Sequence, residues 1–137
     1  QMDMDATNQT LGIKELETLH SLKTGALIRA SVRMGALIGN ADAAELEALD
    51  GFADTLGLAF QIRDDILDIE SSSEQLGKTA GKDAEQNKST YPNLLGMDEA
   101  KKLLASYSGK MHASLSSLQR NTDALKYIAG FTVNRMQ

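Results

Sequence analysis

Residues 42 to about 70 have the spacing of one long helix. Leu46, Leu49, Phe52, Ala53, Leu56, Ala59, Phe60, Ile66 and Leu67 recur largely at three- and four-residue intervals, with no proline among them. Asp42, followed three residues later by Glu45, has the form of a capping box at its start. Ser71-Ser72-Ser73 reads as its end. Gly51 and Gly57 each weaken a helix by about 1 kcal/mol relative to alanine, so both are expected to mark close approach to a neighbouring helix.

The rest of the chain follows the same period. From about 13 to 38 the apolar positions are Leu16, Leu19, Leu27, Ile28, Val32 and Leu37, with small residues between them and a stop at Gly39-Asn40. From about 97 to 118 Leu103, Leu104, Tyr107, Met111 and Leu115 share one side, and Asn121-Thr122-Asp123 can cap a last helix reaching about 136. No segment alternates with the strand period, so an all-α fold is expected. The 137 residues, 42% of them apolar with a single proline, suffice for one helical core and are too few for two ordinary domains. Residues 71–92 lose the period and fill with Ser, Gly, Lys, Asp, Asn and Thr. A connection that long in a small helical unit is usually functional or disordered, and Lys78, Lys82 and Lys88 favour the former. Residues 1–9 are polar and acidic, begin at Gln1 and lack the basic and apolar regions of a signal peptide, so the chain reads as a cut piece.

Several function classes are excluded by composition. The net charge is −5 and the 14 basic residues are scattered, which leaves no positive surface for nucleic acid. Without cysteine there are no disulfides or thiolate metal sites, a composition compatible with a cytoplasmic location. Apolar runs such as Gly35-Ala36-Leu37-Ile38 fall far short of the roughly 20 residues needed to cross a bilayer, and a soluble protein is expected.

The chemistry concentrates in Phe60-Gln61-Ile62-Arg63-Asp64-Asp65-Ile66-Leu67-Asp68. At 3.6 residues per turn Asp64 and Asp68 stack one above the other, Asp65 lies beside them and Gln61 precedes them by a turn. Like charges at this spacing destabilise a helix by roughly 0.2–0.5 kcal/mol per pair, a cost that a hard cation relieves. Mg²⁺ usually accepts only one or two carboxylates and fills its remaining positions with water and phosphate oxygens, so the implied ligand is a metal-bridged phosphate or diphosphate. An isolated triple of acids is more often a solvated helix end, and a lysine such as Lys23 beside an apolar stretch more often snorkels to water. Company changes that balance. Lys23, Thr24, Gln61, the three aspartates, Lys78 and Lys88 together supply the parts needed to grip a metal-bound diphosphate and to stabilise a carbocation formed as it leaves. The cations serve the leaving group. The Thr24 hydroxyl and the Gln61 side-chain oxygen offer partial negative charge to carbon without trapping it.

The segments Leu19-His20-Ser21-Leu22-Lys23-Thr24-Gly25-Ala26-Leu27-Ile28, Gly57-Leu58-Ala59-Phe60-Gln61-Ile62-Arg63-Asp64-Asp65-Ile66-Leu67-Asp68, Leu76-Gly77-Lys78, Gly81-Lys82-Asp83 and Lys88-Ser89-Thr90-Tyr91-Pro92 resemble the C-terminal half of the trans-isoprenyl diphosphate synthase family, and within it the bacterial farnesyl diphosphate (geranyltranstransferase) type. The likeness covers nearly the whole chain, with its motifs in family order. It implies one half of a single isoprenoid-synthase helical bundle, residues 1–137, whose N-terminal half with the first aspartate-rich motif is absent. It also implies that the intact parent is a Mg²⁺-dependent, cytoplasmic and homodimeric enzyme. That enzyme would join isopentenyl diphosphate to an allylic diphosphate to make farnesyl or geranylgeranyl diphosphate, while this piece alone is inactive.

By the same resemblance Asp64, Asp65 and Asp68 form the second aspartate-rich motif. Asp64 would be the direct metal ligand and Asp68 would act through bound water. Lys23, Lys78 and Lys88 would contact the allylic diphosphate, and Thr24 and Gln61 would face the reacting carbons. The family's proton acceptor is the departing diphosphate, which fits a chain whose His20 and His112 read as surface or packing residues. Gln1 resembles part of a Gly-Gly-Gln-x-x-Asp segment, but Asp3 and Asp5 do not fit its register. The alternative is a non-catalytic helical binding or dimerisation module derived from the same family.

Overall fold

The computed structural model of the protein describes residues 11–75 and 89–136. Every element among the described residues is helical. Helix α1 (Ile13–His20) runs through a π-helical turn, Ser21–Gly25, into α2 (Ala26–Ile38). The long α3 (Ala43–Gln75), the short α4 (Tyr91–Leu95), α5 (Met97–Ser116) and α6 (Asp123–Asn134) follow. The all-α expectation holds.

Helix α3 is the axis, and every other element packs on it. Its inner side carries Phe52, Leu56, Ala59, Ile62 and Ile66, spaced four, three, three and four residues apart, all buried. Facing it, α5 contributes Ala100, Leu104, Tyr107, Met111 and Leu115 at the same kind of interval. Leu16 of α1, Tyr91 of α4 and Ala129 of α6 close the core. Each large side chain buried here contributes about 1.5–3 kcal/mol relative to its exposed state.

The helix boundaries have local causes. Asp42 Oδ1 accepts from the Glu45 N–H at 2.8 Å while Glu45 Oε2 accepts from the Asp42 N–H at 2.9 Å, the reciprocal pair expected at this start. Helix α2 stops because Asn40 takes φ +54, which lets the Ala41 N–H reach Ala36 O at 2.9 Å and the Asn40 N–H reach Leu37 O at 3.1 Å. Arg120 spans this corner, donating to Glu45 and to the carbonyls of Gly39 and Asn40, so cationic charge sits where α2 ends. Glu45, held by Arg120, has its pKa lowered below the ordinary carboxylate value.

Two expectations need correction, and α2 is less covered than the other helices. The serines at 71–73 do not end α3, which continues to Gln75: Ser71 and Ser72 bond back to carbonyls of Leu67, Asp68 and Ile69, so their hydroxyls ride on the helix. Gly51 is exposed, with nothing near the position of a side chain, so only Gly57 marks a close approach. Finally, α2 buries none of its residues. Ile28, Val32 and Ala36 lean half-buried on the core, but Leu27 is 73% exposed and Ile38 83%, with Met34 and Leu37 also on the surface.

Candidate active site

Lys23 and Thr24 sit on the π turn. There the Ala26 N–H bonds to Ser21 O, five residues back, and the α1–α2 rod gains one residue in that turn. Such π turns concentrate at functional positions because the extra residue turns side chains out of the α-helical register. Thr24 is half-buried and Lys23 exposed. The turn seats directly on α3 through two glycines: a Cβ built on Gly57 would lie 2.9 Å from Gly25 Cα. Gln61 is one helical turn further along α3, so the glycine contact brings the Lys23-Thr24 turn beside the turn that precedes the aspartates.

The aspartates divide between two environments. Asp65, expected beside the others as a third ligand, is buried. Its Oδ2 accepts the Tyr91 N–H at 3.0 Å and its Oδ1 accepts from Gln61 Nε2 at 3.2 Å. Asp64 is half-exposed and forms an ion pair with Arg135, and Asp68 is exposed one turn on. Among the described residues no group of three or more acidic or histidine side chains gathers to hold a metal. Asp64 and Asp68 are the two carboxylates of the motif left outside the core, within the one or two that Mg²⁺ usually takes. Lys78 and Lys88 lie outside the described residues, as do Lys82, Asp3 and Asp5.

Residues that sequence reasoning missed surround this face. Arg135, just beyond α6, lies with its guanidinium carbon 4.4 Å from the centre of the Phe60 ring while pairing with Asp64. Arg63 donates to Arg135 O from Nε at 2.9 Å and from Nη2 at 2.6 Å, which pins the segment after α6 to α3. No periodic signal joins positions 71 residues apart.

Beneath the site lies a buried aromatic layer. His20 stacks on Tyr91 with ring centres 5.8 Å apart, so it is a packing residue; His112 is exposed and bonds to Ser108 O at 2.9 Å. Tyr107 hydroxyl meets Glu17 Oε1 at 3.3 Å. Burial, then the Glu17 charge, pushes the Tyr107 pKa up to about 12, and burial raises that of Tyr91 further.

The chain is similar in sequence and fold to known proteins. The polyprenyl synthetase family model matches residues 1–125. The chain is 47% identical over 133 residues to farnesyl diphosphate synthase of Geobacillus stearothermophilus, covering 97% of this chain and 45% of that protein. It is 49% identical over 98 residues to a chloroplastic geranylgeranyl pyrophosphate synthase of Capsicum annuum, covering 72% of this chain and 27% of that one. A solved apo structure of an FPP/GFPP synthase from Zymomonas mobilis superposes with a TM-score of 0.79 at 29% identity, over 96% of this chain and 43% of that one. The chain thus spans less than half the length of these relatives. Sequence, helix order and architecture agree, and the chain belongs to the polyprenyl synthetase family.

Proposed function

We propose that this chain is the C-terminal half of a single-domain, Mg²⁺-dependent short-chain trans-prenyltransferase, and that the intact parent condenses isopentenyl diphosphate with an allylic diphosphate to give farnesyl or geranylgeranyl diphosphate. The observation that carries the reading is the seating of the Lys23-Thr24 π turn on Gly57, one turn before Gln61 and the aspartates. The exposed apolar side of α2, with Leu27, Met34, Leu37 and Ile38, supports a further helical layer over this half, as do relatives more than twice as long. A homodimer is part of the same proposal.

Each residue then has a task in ionisation. Lys23, with Lys78 and Lys88, binds the allylic diphosphate and draws its charge away from carbon. Asp64 and Asp68 would hold Mg²⁺, which would neutralise charge on the leaving group, and Arg135, paired with Asp64, keeps that carboxylate at the site. The Thr24 hydroxyl oxygen and the Gln61 amide oxygen face the allylic carbons and stabilise positive charge as it develops, by fixed dipoles that need no reorganisation.

Replacing Asp64 by alanine in the intact synthase is expected to lower turnover at least about a hundredfold, roughly 3 kcal/mol, with the fold retained. Activity within tenfold of wild type would remove the aspartate from the site. This chain alone, given dimethylallyl and isopentenyl diphosphates, is expected to form no product, and product formation would refute the division into halves.

A further inference from the structure

We propose that Asp65 is a positioning residue that sets which face of the Gln61 amide the substrate meets, and is not a third magnesium ligand. The assignment rests on the function proposed above. Gln61 Nε2 donates to Asp65 Oδ1 at 3.2 Å, so the amide presents its NH₂ to the carboxyl group. The amide oxygen of Gln61 is thereby turned away from α3's buried carboxylate. A neutral partner would leave both orientations open. Asp65 forces the one that offers partial negative charge outward, the sign an allylic cation requires.

The second oxygen makes the arrangement rigid. Asp65 Oδ2 accepts the backbone N–H of Tyr91 at 3.0 Å, and that donor cannot be reversed. With Asp65 only 6% exposed, its oxygens are shielded from water and need these donors. Asp64, three residues after Gln61 and outside this pair, is half-exposed and pairs instead with Arg135.

The isosteric change Asp65→Asn makes the test. Its amide oxygen must serve the Tyr91 N–H, so its NH₂ turns to Gln61, which must then rotate to offer its oxygen inward and its NH₂ to the substrate. In the intact synthase, Asp65→Asn is expected to lower kcat 10- to 100-fold with KM for the allylic diphosphate within threefold. Mn²⁺ affinity, followed by electron paramagnetic resonance, is expected to stay within about twofold of wild type, whereas Asp64→Asn weakens it. In a Gln61→Leu background, where no amide can be misoriented, Asp65→Asn is expected to cost less than threefold further. A tenfold loss of Mn²⁺ affinity in Asp65→Asn, or losses that multiply in the double variant, would overturn the assignment and return Asp65 to the metal. Wild-type turnover in Gln61→Leu alone would overturn it differently, by removing Gln61 from the chemistry while leaving the Asp64 result standing. Should Asp65→Asn fail to fold, the melting temperature of Gln61→Leu decides. A fall of several degrees supports the bond to the buried carboxylate, and an unchanged value denies it.

Discussion

The contact between Gly57 and Gly25 makes an unusual demand: a methyl group at position 57 should destabilise a helix that alanine otherwise favours. A Cβ on Gly57 would meet Gly25 Cα at 2.9 Å and Gly25 N at 3.6 Å. Carbon atoms pack at about 3.5–4.0 Å, so the π turn and α3 would have to separate by roughly 0.6–1 Å. Both partners are backbone, and no side-chain rotation can absorb the overlap. Overpacking of this kind costs about 1–3 kcal/mol, against a gain of about 1 kcal/mol in helix propensity, so the net change runs from near zero to a loss of about 2 kcal/mol. Gly51 supplies the control on the same helix, since a Cβ there meets nothing within 4 Å and alanine should gain close to the full propensity term. The two alanines should therefore differ by the overpacking term itself. Urea unfolding followed by circular dichroism should place the Gly51→Ala midpoint above wild type and the Gly57→Ala midpoint clearly below that of Gly51→Ala. Coincident midpoints for the two variants would mean that the π turn does not sit on α3, and the candidate site would lose the contact that assembles it.

Two further perturbations follow from local structure. Asp42→Ala removes the acceptor for the Glu45 N–H at the start of α3 and should cost about 1 kcal/mol in the same urea experiment, with Asp42→Ser recovering most of it; equal midpoints for all three would contradict the cap. Tyr107 is held neutral in the folded chain, with its pKa raised to about 12 from an ordinary value near 10, so its contribution is complete below about pH 10 and is lost as pH rises toward about 12. Stability should fall by about 1.4 kcal/mol per pH unit for this group across that window. Tyr107→Phe should make the alkaline slope shallower, with Tyr91, whose pKa is raised further, contributing to what remains. An unchanged slope in Tyr107→Phe would mean that this hydroxyl is not buried against Glu17.

What the chain discloses before folding is period, and what it conceals is which face the period buries. The long helix, its capping box and the stop at Asn40 were legible because each depends on residues within one turn of one another. Helix α4 went unread although Thr90, whose hydroxyl accepts the Asn93 N–H, followed by Pro92 in the first turn, is a local start signal. The π turn leaves no such trace, because one extra residue in a turn changes hydrogen-bond partners without requiring a particular side chain. Arg135 meets Asp64 across 71 positions, which no local rule reaches.

The aspartates show the limit most sharply, since the same three letters fall in two different environments. Adjacent residues on a helix point about 100° apart, so Asp64 and Asp65 cannot both share the direction of Asp68 equally. With Ala59, Ile62 and Ile66 marking the buried side, Asp65 falls nearest to it, while Asp64 and Asp68 fall nearly opposite. The apolar period thus held the information that separates them, but it became usable only once that side was known to be covered. A carboxylate turned toward a core must find donors, and a backbone N–H and the Gln61 amide are among those found here. The burial that removes Asp65 from solvent is therefore also what fixes its contact with the Gln61 amide.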